Sequence, residues 1–487
     1  MPLANLFRTK SIDRILAEPD TAHGLKRILG PVHLVMLGIG GVVGAGIFAL
    51  VGTAAAGDAA RPGAGPALVL SFLLTGLACA LTGVCYAEFA SLVPISGSAY
   101  TYAYATLGEV IAWIIGWDLI LEYAVGNIAV AVSWSGYFCE LLRGLGLEFP
   151  RWLATDLRTA VHTPEILQAA PRVFGVPILL NLPAIFIVSL ITLVLVLGIR
   201  ESAWFNAAMV AVKLAVLALF VGIGTCYVHP QNWHPFMPNG WAGIQAGAAV
   251  VFFAFIGFDA VSTAAEECRN PRRDLPIGIL GSLAVCTAIY IIVAAVLTGI
   301  VPWHQLNTAE PLSVAMRVVN MNWAAGIVAF GSVVAHTAVL LVFQLGQPRI
   351  LLSMSRDGLL PPVLGRVHPR FRTPHVATLA TGLFVVAGAG LASLDEMADL
   401  CNIGTLSAFV IVCAGVLVLR RRDPTRERPF RTPWVPVVPA LGALACLGLM
   451  LGLPSLAWIR FGVWLLIGAG VYLCYGYRRS RLSNPTA

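Results

Sequence analysis

Lys213 stands alone among apolar side chains in residues 206–220, Asn-Ala-Ala-Met-Val-Ala-Val-Lys-Leu-Ala-Val-Leu-Ala-Leu-Phe. That stretch otherwise has the composition of a membrane-spanning helix. An ammonium at such depth costs roughly 2.5–3.5 kcal/mol or more, so it needs a partner or a task. Two further apolar stretches are interrupted where a helix should be continuous. One is Gly40-Gly-Val-Val-Gly44-Ala45-Gly46-Ile-Phe48, the other Phe253-Ala-Phe-Ile-Gly257-Phe258-Asp259. A glycine in a helix interior costs about 1 kcal/mol, and a cluster of them can unwind a span where a ligand needs bare backbone. Close helix packing through small residues is the competing reading for Gly40 and Gly44. A second disrupted span around Gly257 favours unwinding. Half-helix N-termini attract anions and C-termini attract cations, so two broken spans can hold both ends of a zwitterion. Two broken spans and one buried cation together outline the binding site of a secondary transporter.

The elements that must position these residues follow from composition. The chain has 487 residues, 58% hydrophobic and only 11% charged, where soluble domains run near 25% charged. A spanning helix needs about 20 apolar residues. Twelve spans are expected, at 31–55, 65–89, 108–142, 176–198, 203–229, 242–267, 275–301, 322–353, 374–394, 398–419, 433–453 and 456–477. The third and eighth are long enough to tilt or to extend beyond the bilayer. The two breaks fall in spans 1 and 6. That spacing suggests two five-span repeats, about 31–229 and 242–421, the second inverted because five is odd. Spans 11 and 12, about 433–477, follow them. The whole transmembrane domain runs from 31 to 478, between an N-terminal segment 1–30 and a tail 479–487.

The net charge of +7 does not indicate a nucleic-acid partner, because the cations are segregated by side. With the N-terminus in the cytoplasm, about 23 of the lysines and arginines fall on cytoplasmic segments, the positive-inside bias. They include Arg8, Lys10, Lys26, Arg27, Arg269, Arg272, Arg273 and the runs 349–372, 420–431 and 478–481. Both termini are therefore expected on the cytoplasmic side of an inner membrane. No cleavable signal is apparent in residues 1–30. A short amphipathic helix is expected at 311–319 on the outer surface. The ten cysteines show no paired spacing and mostly fall inside spans, so neither a metal site nor a cofactor is indicated. A membrane-embedded enzyme would need a clustered nucleophile and base or metal ligands. Neither His-Glu-x-x-His nor Gly-x-Ser-x-Gly occurs. A channel would call for rings of like residues around an open pore.

Several stretches resemble the amino acid–polyamine–organocation superfamily, and within it the cationic amino acid transporter family and its bacterial relatives. They are Gly44-Ala-Gly-Ile-Phe48, Tyr86-Ala-Glu-Phe-Ala90, Gly97-Ser-Ala-Tyr-Thr-Tyr-Ala-Tyr104 and Gly116-Trp-Asp-Leu-Ile-Leu-Glu-Tyr123. Further on come 255–267, Asn270-Pro-Arg-Arg-Asp-Leu-Pro276, Ser355-Arg-Asp-Gly-Leu-Leu-Pro361 and Ile403-Gly-Thr-Leu406. Each is weak alone; the ordered set, from about 30 to 435, is specific.

The resemblance implies an all-α polytopic protein of the LeuT-type fold, with discontinuous helices 1 and 6. It also implies alternating-access transport of an amino acid. The substrate carboxylate would meet the N–H groups of Gly44, Ala45 and Gly46. The substrate ammonium would meet carbonyls around Val42, Val43, Phe253, Ala254 and Ile256. Phe253 would form an aromatic lid, and Asp259 would lie where helix 6 resumes. Glu122 and Asn127 would face the pocket. Lys213 would take the place of a sodium ion near Gly41 and Thr337, which implies coupling to protons. Helix 8 departs from the family pattern at Ala335-His336-Thr337-Ala338, which lacks one hydroxyl of a sodium site.

Phe343 stands where the cationic transporters tend to have a small polar residue. A ring there favours a small neutral amino acid such as alanine. Glu122 and Asp259 argue instead for a cationic substrate, arginine or lysine, and exchange rather than symport stays open. The partners are thus an amino acid, protons and the lipid bilayer; a small accessory membrane subunit is not decided by the sequence. Other polar residues have structural readings: His336 capping a neighbouring carbonyl, Glu88 tethering a cytoplasmic loop, and Asp118 pairing within span 3.

Overall fold

The computed structural model of the chain describes residues 7–10, 12, 29–95, 98–198 and 203–482. Lys26 and Arg27 of the basic N-terminal segment, Gly97 of the tyrosine-rich motif and the tail beyond 482 lie outside the described residues. Within them the protein is all-α apart from two minimal hairpins, Gly57–Asp58 with Arg61–Pro62 and Arg172–Val173 with Val176–Pro177.

The helical segments expected from hydropathy form in chain order. We number them α1 (Pro31–Val42 and Gly46–Ala56), α2 (Leu68–Leu92), α3 (Glu109–Gly144) and α4 (Leu182–Val196). Then come α5 (Ala203–Thr225), α6 (Gly240–Thr263), α7 (Pro271–Ile300) and α8 (Asn322–Arg356). The last four are α9 (His375–Leu391), α10 (Leu394–Arg422), α11 (Val437–Leu451) and α12 (Ser455–Arg479). Among the described residues, eight of these are long and apolar enough to cross a membrane, and the bent α1 makes a ninth. α4, α9 and α11 are apolar but shorter. The long α3 and α8, of 36 and 35 residues, exceed the roughly 30 Å of a hydrocarbon core at 1.5 Å per residue.

Two of the helices are not continuous. The halves of α1 meet at 49°. α6 runs as an α-helix only to Val251, tightens into a 3₁₀ turn at Phe252–Phe255 and resumes at Ala260. α7 threads beside both broken helices, packing against α1 and α2, while α8 packs on α3. A short helix at Pro311–Val318 precedes α8 and buries Leu312 and Met316.

The first and last described residues meet on one face, where Arg8 donates to the carbonyl of Leu482. The same face is tied together by Glu88 at the end of α2, which is 1% exposed. Its carboxylate accepts two hydrogen bonds from Arg420, each 2.9 Å, and one from the Thr432 amide at 2.8 Å. The Arg428 guanidinium lies 3.2 Å away. Glu88 thus clamps the α10–α11 connection. Asp118 pairs across helices rather than within its own span, accepting from Ser407 at 2.8 Å and joining α3 to α10. Removing one member of a buried, hydrogen-bonded ion pair costs about 3–5 kcal/mol, because the other charge stays buried. Glu88→Ala should therefore lower the thermal unfolding temperature markedly. Substrate affinity in the fraction that stays folded should be unaltered, and a circular dichroism melt paired with a binding assay checks both.

Candidate functional site

The break in α1 begins where helical hydrogen bonding stops. Val43 turns to extended backbone (φ −78°, ψ 101°) while its N–H still bonds to Ile39. The second half restarts at Gly46 with one wide π-helical turn, Gly46–Leu50. In α6 the corresponding change comes at Ile256, which is extended (ψ 136°), and at Gly257, whose φ of +110° only glycine adopts without strain.

The two breaks pack directly on each other. A β-carbon at Gly46 would overlap the backbone of Ala254, and one at Gly257 would fall 2.9 Å from the carbonyl oxygen of Gly41. Gly46 and Gly41 of α1 therefore lie against Ala254 and Gly257 of α6, and Val42, Val43, Gly44, Ala45, Phe253 and Ile256 beside them are buried too. Tyr290 of α7 joins the two breaks. Its hydroxyl lies 3.1 Å from the carbonyl oxygen of Val42 and 2.9 Å from that of Ala254.

α8 supplies the wall. A β-carbon at Gly44 would meet Val339, and one at Gly257 would meet the ring of Phe343. Phe343 is buried and sits edge-on to Tyr123, with ring centroids 5.6 Å apart. The Tyr123 hydroxyl in turn donates to Asp259 at 2.9 Å. Beside Asp259 lies Glu122, in a second wide turn, Leu121–Val125 of α3. Neither Glu122 oxygen has a hydrogen-bond donor, and Thr405 is adjacent. Single π-type turns inside α-helices recur at functional sites. A buried carboxylate without a donor is costly. Asn127 lies one turn beyond Glu122. It donates to Gln344 of α8 at 2.5 Å, and Gln344 donates to Thr192 of α4 at 2.8 Å.

Lys213 is fully buried and donates to the carbonyl oxygen of Gly40 at 2.6 Å. It meets α1 one residue before Gly41, which itself sits against the α6 break. Thr337 donates to Val333 and accepts from Trp134. His336 caps a neighbouring carbonyl as expected: Nδ1 lies 2.6 Å from the Ser332 oxygen, and Nε2 lies 2.7 Å from the Ser133 hydroxyl. Among the described residues, no group of three or more His, Cys, Asp or Glu side chains could hold a metal ion.

Sequence reasoning missed Tyr290, Tyr123 and Gln344. Tyr290 had a signal, a lone phenol midway along an apolar span; Tyr123 stood in a quoted motif without a task.

Broken α1 and α6, back to back beneath an α8 wall and with a lysine at the α1 break, define a multi-pass membrane transporter rather than an enzyme. The chain belongs to the amino acid permease family, whose pattern matches residues 29–471. It is 48% identical over 482 residues to the branched-chain amino acid permease BcaP of Bacillus subtilis, covering 99% of each chain. It is 44% identical over 482 residues to the methylthioribose transporter of the same organism, covering 99% of this chain and 100% of that one. It is also 38% identical over 427 residues to the vacuolar cationic amino acid transporter 4 of Arabidopsis thaliana, covering 86% of this chain and 68% of that one.

Proposed function

We propose that the protein is a proton-coupled transporter of a neutral aliphatic amino acid in the cytoplasmic membrane. It would work by alternating access of two inverted five-helix halves, with both termini in the cytoplasm. The observation that carries this reading is the pair of broken helices packed face to face. In this reading the amides of Gly44, Ala45 and Gly46 would meet the substrate carboxylate, and the carbonyls of Val42, Val43 and Phe253–Ile256 its ammonium.

A neutral side chain is favoured by the wall. Val339 and Phe343 face the breaks, while Asp259 is held by Tyr123 and lies against Glu122. An acid already held by a phenol is a poorer partner for a guanidinium, and a buried ring does not shrink. The branched-chain permease among the relatives supports an aliphatic side chain, and alanine is the smallest candidate. The methylthioribose transporter supports a second reading, a thioether sugar. Proton coupling is supported by Lys213, a buried ammonium that bonds to Gly40 in the first half of the broken α1 and would stand in for a coupling cation.

Competition against a labelled amino acid in proteoliposomes tests the assignment. Leucine, valine or alanine should displace it at concentrations where arginine does not, and uptake should follow an inward proton gradient at any sodium concentration. Stronger displacement by arginine or by methylthioribose would overturn the substrate, and strict sodium dependence at constant pH would overturn the coupling. Phe343→Ser should then admit larger side chains, raising their competition by roughly ten-fold for each extra buried methylene. An unchanged profile would remove Phe343 from the pocket.

A further inference from the structure

Away from the two helix breaks, an open groove of about 620 Å³ lies between α3 and α12, lined almost wholly by apolar atoms. Val110, Trp113 and Trp117 form one wall, and Gly462, Gly468 and Leu473 belong to the other. Its floor is fixed. The Trp113 indole donates to the carbonyl of Gly468 at 3.0 Å, and that of Trp117 donates to Trp464 at 2.9 Å. The rings of Trp117 and Trp464 stack at 4.7 Å. Glycine lets the floor pack this closely, since a β-carbon at Gly468 would strike the Trp117 ring at 2.5 Å.

On α12 the lining runs from Gly462 to Leu473, roughly 16 Å at the helical rise, which is about half the hydrocarbon core. The groove therefore has the height of one leaflet. Its lower end is closed by Tyr472, whose hydroxyl donates to Glu109 at 2.9 Å. Just beyond that end, α12 finishes on Arg478 and Arg479, followed by Arg481, and all three are exposed. Arg479 lies 5.0 Å over the Tyr475 ring, so its guanidinium is held near the helix.

We propose that this groove binds an anionic phospholipid, with an acyl chain along the tryptophan floor and the phosphate on Arg478, Arg479 and Arg481. The site is apolar for one leaflet's depth and then abruptly cationic, which matches the two ends of such a lipid and of no water-soluble ligand. The occupant also covers α12, whose outer surface is otherwise open: Leu466 is 74% exposed and Leu473 48%. Arginine is suited to phosphate through its planar fork of donors. The inference does not depend on which amino acid is carried.

Native mass spectrometry of the full chain in detergent tests it, with added phosphatidylglycerol or phosphatidylethanolamine of identical acyl chains. Phosphatidylglycerol should be retained preferentially. Each arginine near an anionic headgroup is worth roughly five-fold, so Arg478→Gln with Arg479→Gln should weaken that preference about twenty-five-fold. Ala469→Phe, which fills the trough, should lose both lipids. Equal retention of the two lipids by the unmodified protein would overturn the proposal, as would a preference that survives the arginine changes. A dimer that disappears in Ala469→Phe, in place of lipid retention, would assign the groove to a second copy and overturn it too. If Ala469→Phe does not fold, the arginine pair decides, because those side chains lie at the surface.

Discussion

Replacing Lys213 by methionine should cut proton-driven uptake by about a hundred-fold while leaving a folded transporter. Methionine keeps most of the buried chain and removes only the ammonium. The site then loses the charge that bonds to Gly40 at the end of the first half of α1. A charge at mid-membrane depth involves roughly 2.5–3.5 kcal/mol, and each 1.4 kcal/mol is a factor of ten. The readout that separates coupling from mere structure is the pH profile of residual uptake. If Lys213 carries the proton, the variant's remaining transport is flat with pH and cannot concentrate substrate. Counterflow of labelled against unlabelled amino acid should persist at a reduced rate. A variant that is less stable but still accumulates substrate against a proton gradient would show the lysine to be a structural ion alone.

The backbone breaks were legible before any coordinates because glycine has a cost that a spanning helix does not normally bear. Gly44, Gly46 and Gly257 mark both unwound segments to within a residue or two. Lys213 was legible for the same reason, as a single charge in a run of apolar side chains. Hydropathy located the helical segments because every backbone group in lipid must be bonded within its own helix. It was silent on how they pack. Phenols such as Tyr290 and Tyr123 fit an apolar span without penalty, so no pattern announces which carbonyl or carboxylate they reach. Lys213 shows the limit as well. The family resemblance implied a place near Gly41 and Thr337, whereas the ammonium bonds to the carbonyl of Gly40, one residue earlier, because its long stem sets the reach. The clamp on Glu88 needed Arg420, Arg428 and Thr432, more than 300 positions away, and neither local spacing nor periodicity carries that information.

Gly46→Leu should abolish substrate binding without preventing membrane insertion. The β-carbon it adds would overlap the backbone of Ala254 at the α6 break, and backbone in a packed core cannot swing aside as a side-chain tip can. The two half-helices must separate, and the amides of Gly44, Ala45 and Gly46 then lose their register with the carbonyls across the gap. Both ends of a bound zwitterion depend on that register. The unmodified protein at a substrate concentration of 100 times Kd gains about 2.7 kcal/mol of apparent stability, which a thermal shift reads directly. The variant should show no shift at that concentration. Gly222→Leu in α5 is the matched control, since a β-carbon there meets nothing within 4 Å; it should insert and bind normally. Gly46→Ala adds the same β-carbon without the rest of the side chain and should also insert and lose the shift, which assigns the loss to the clash with the α6 backbone rather than to leucine's bulk. A full shift in Gly46→Leu would move the binding site away from the break in α1.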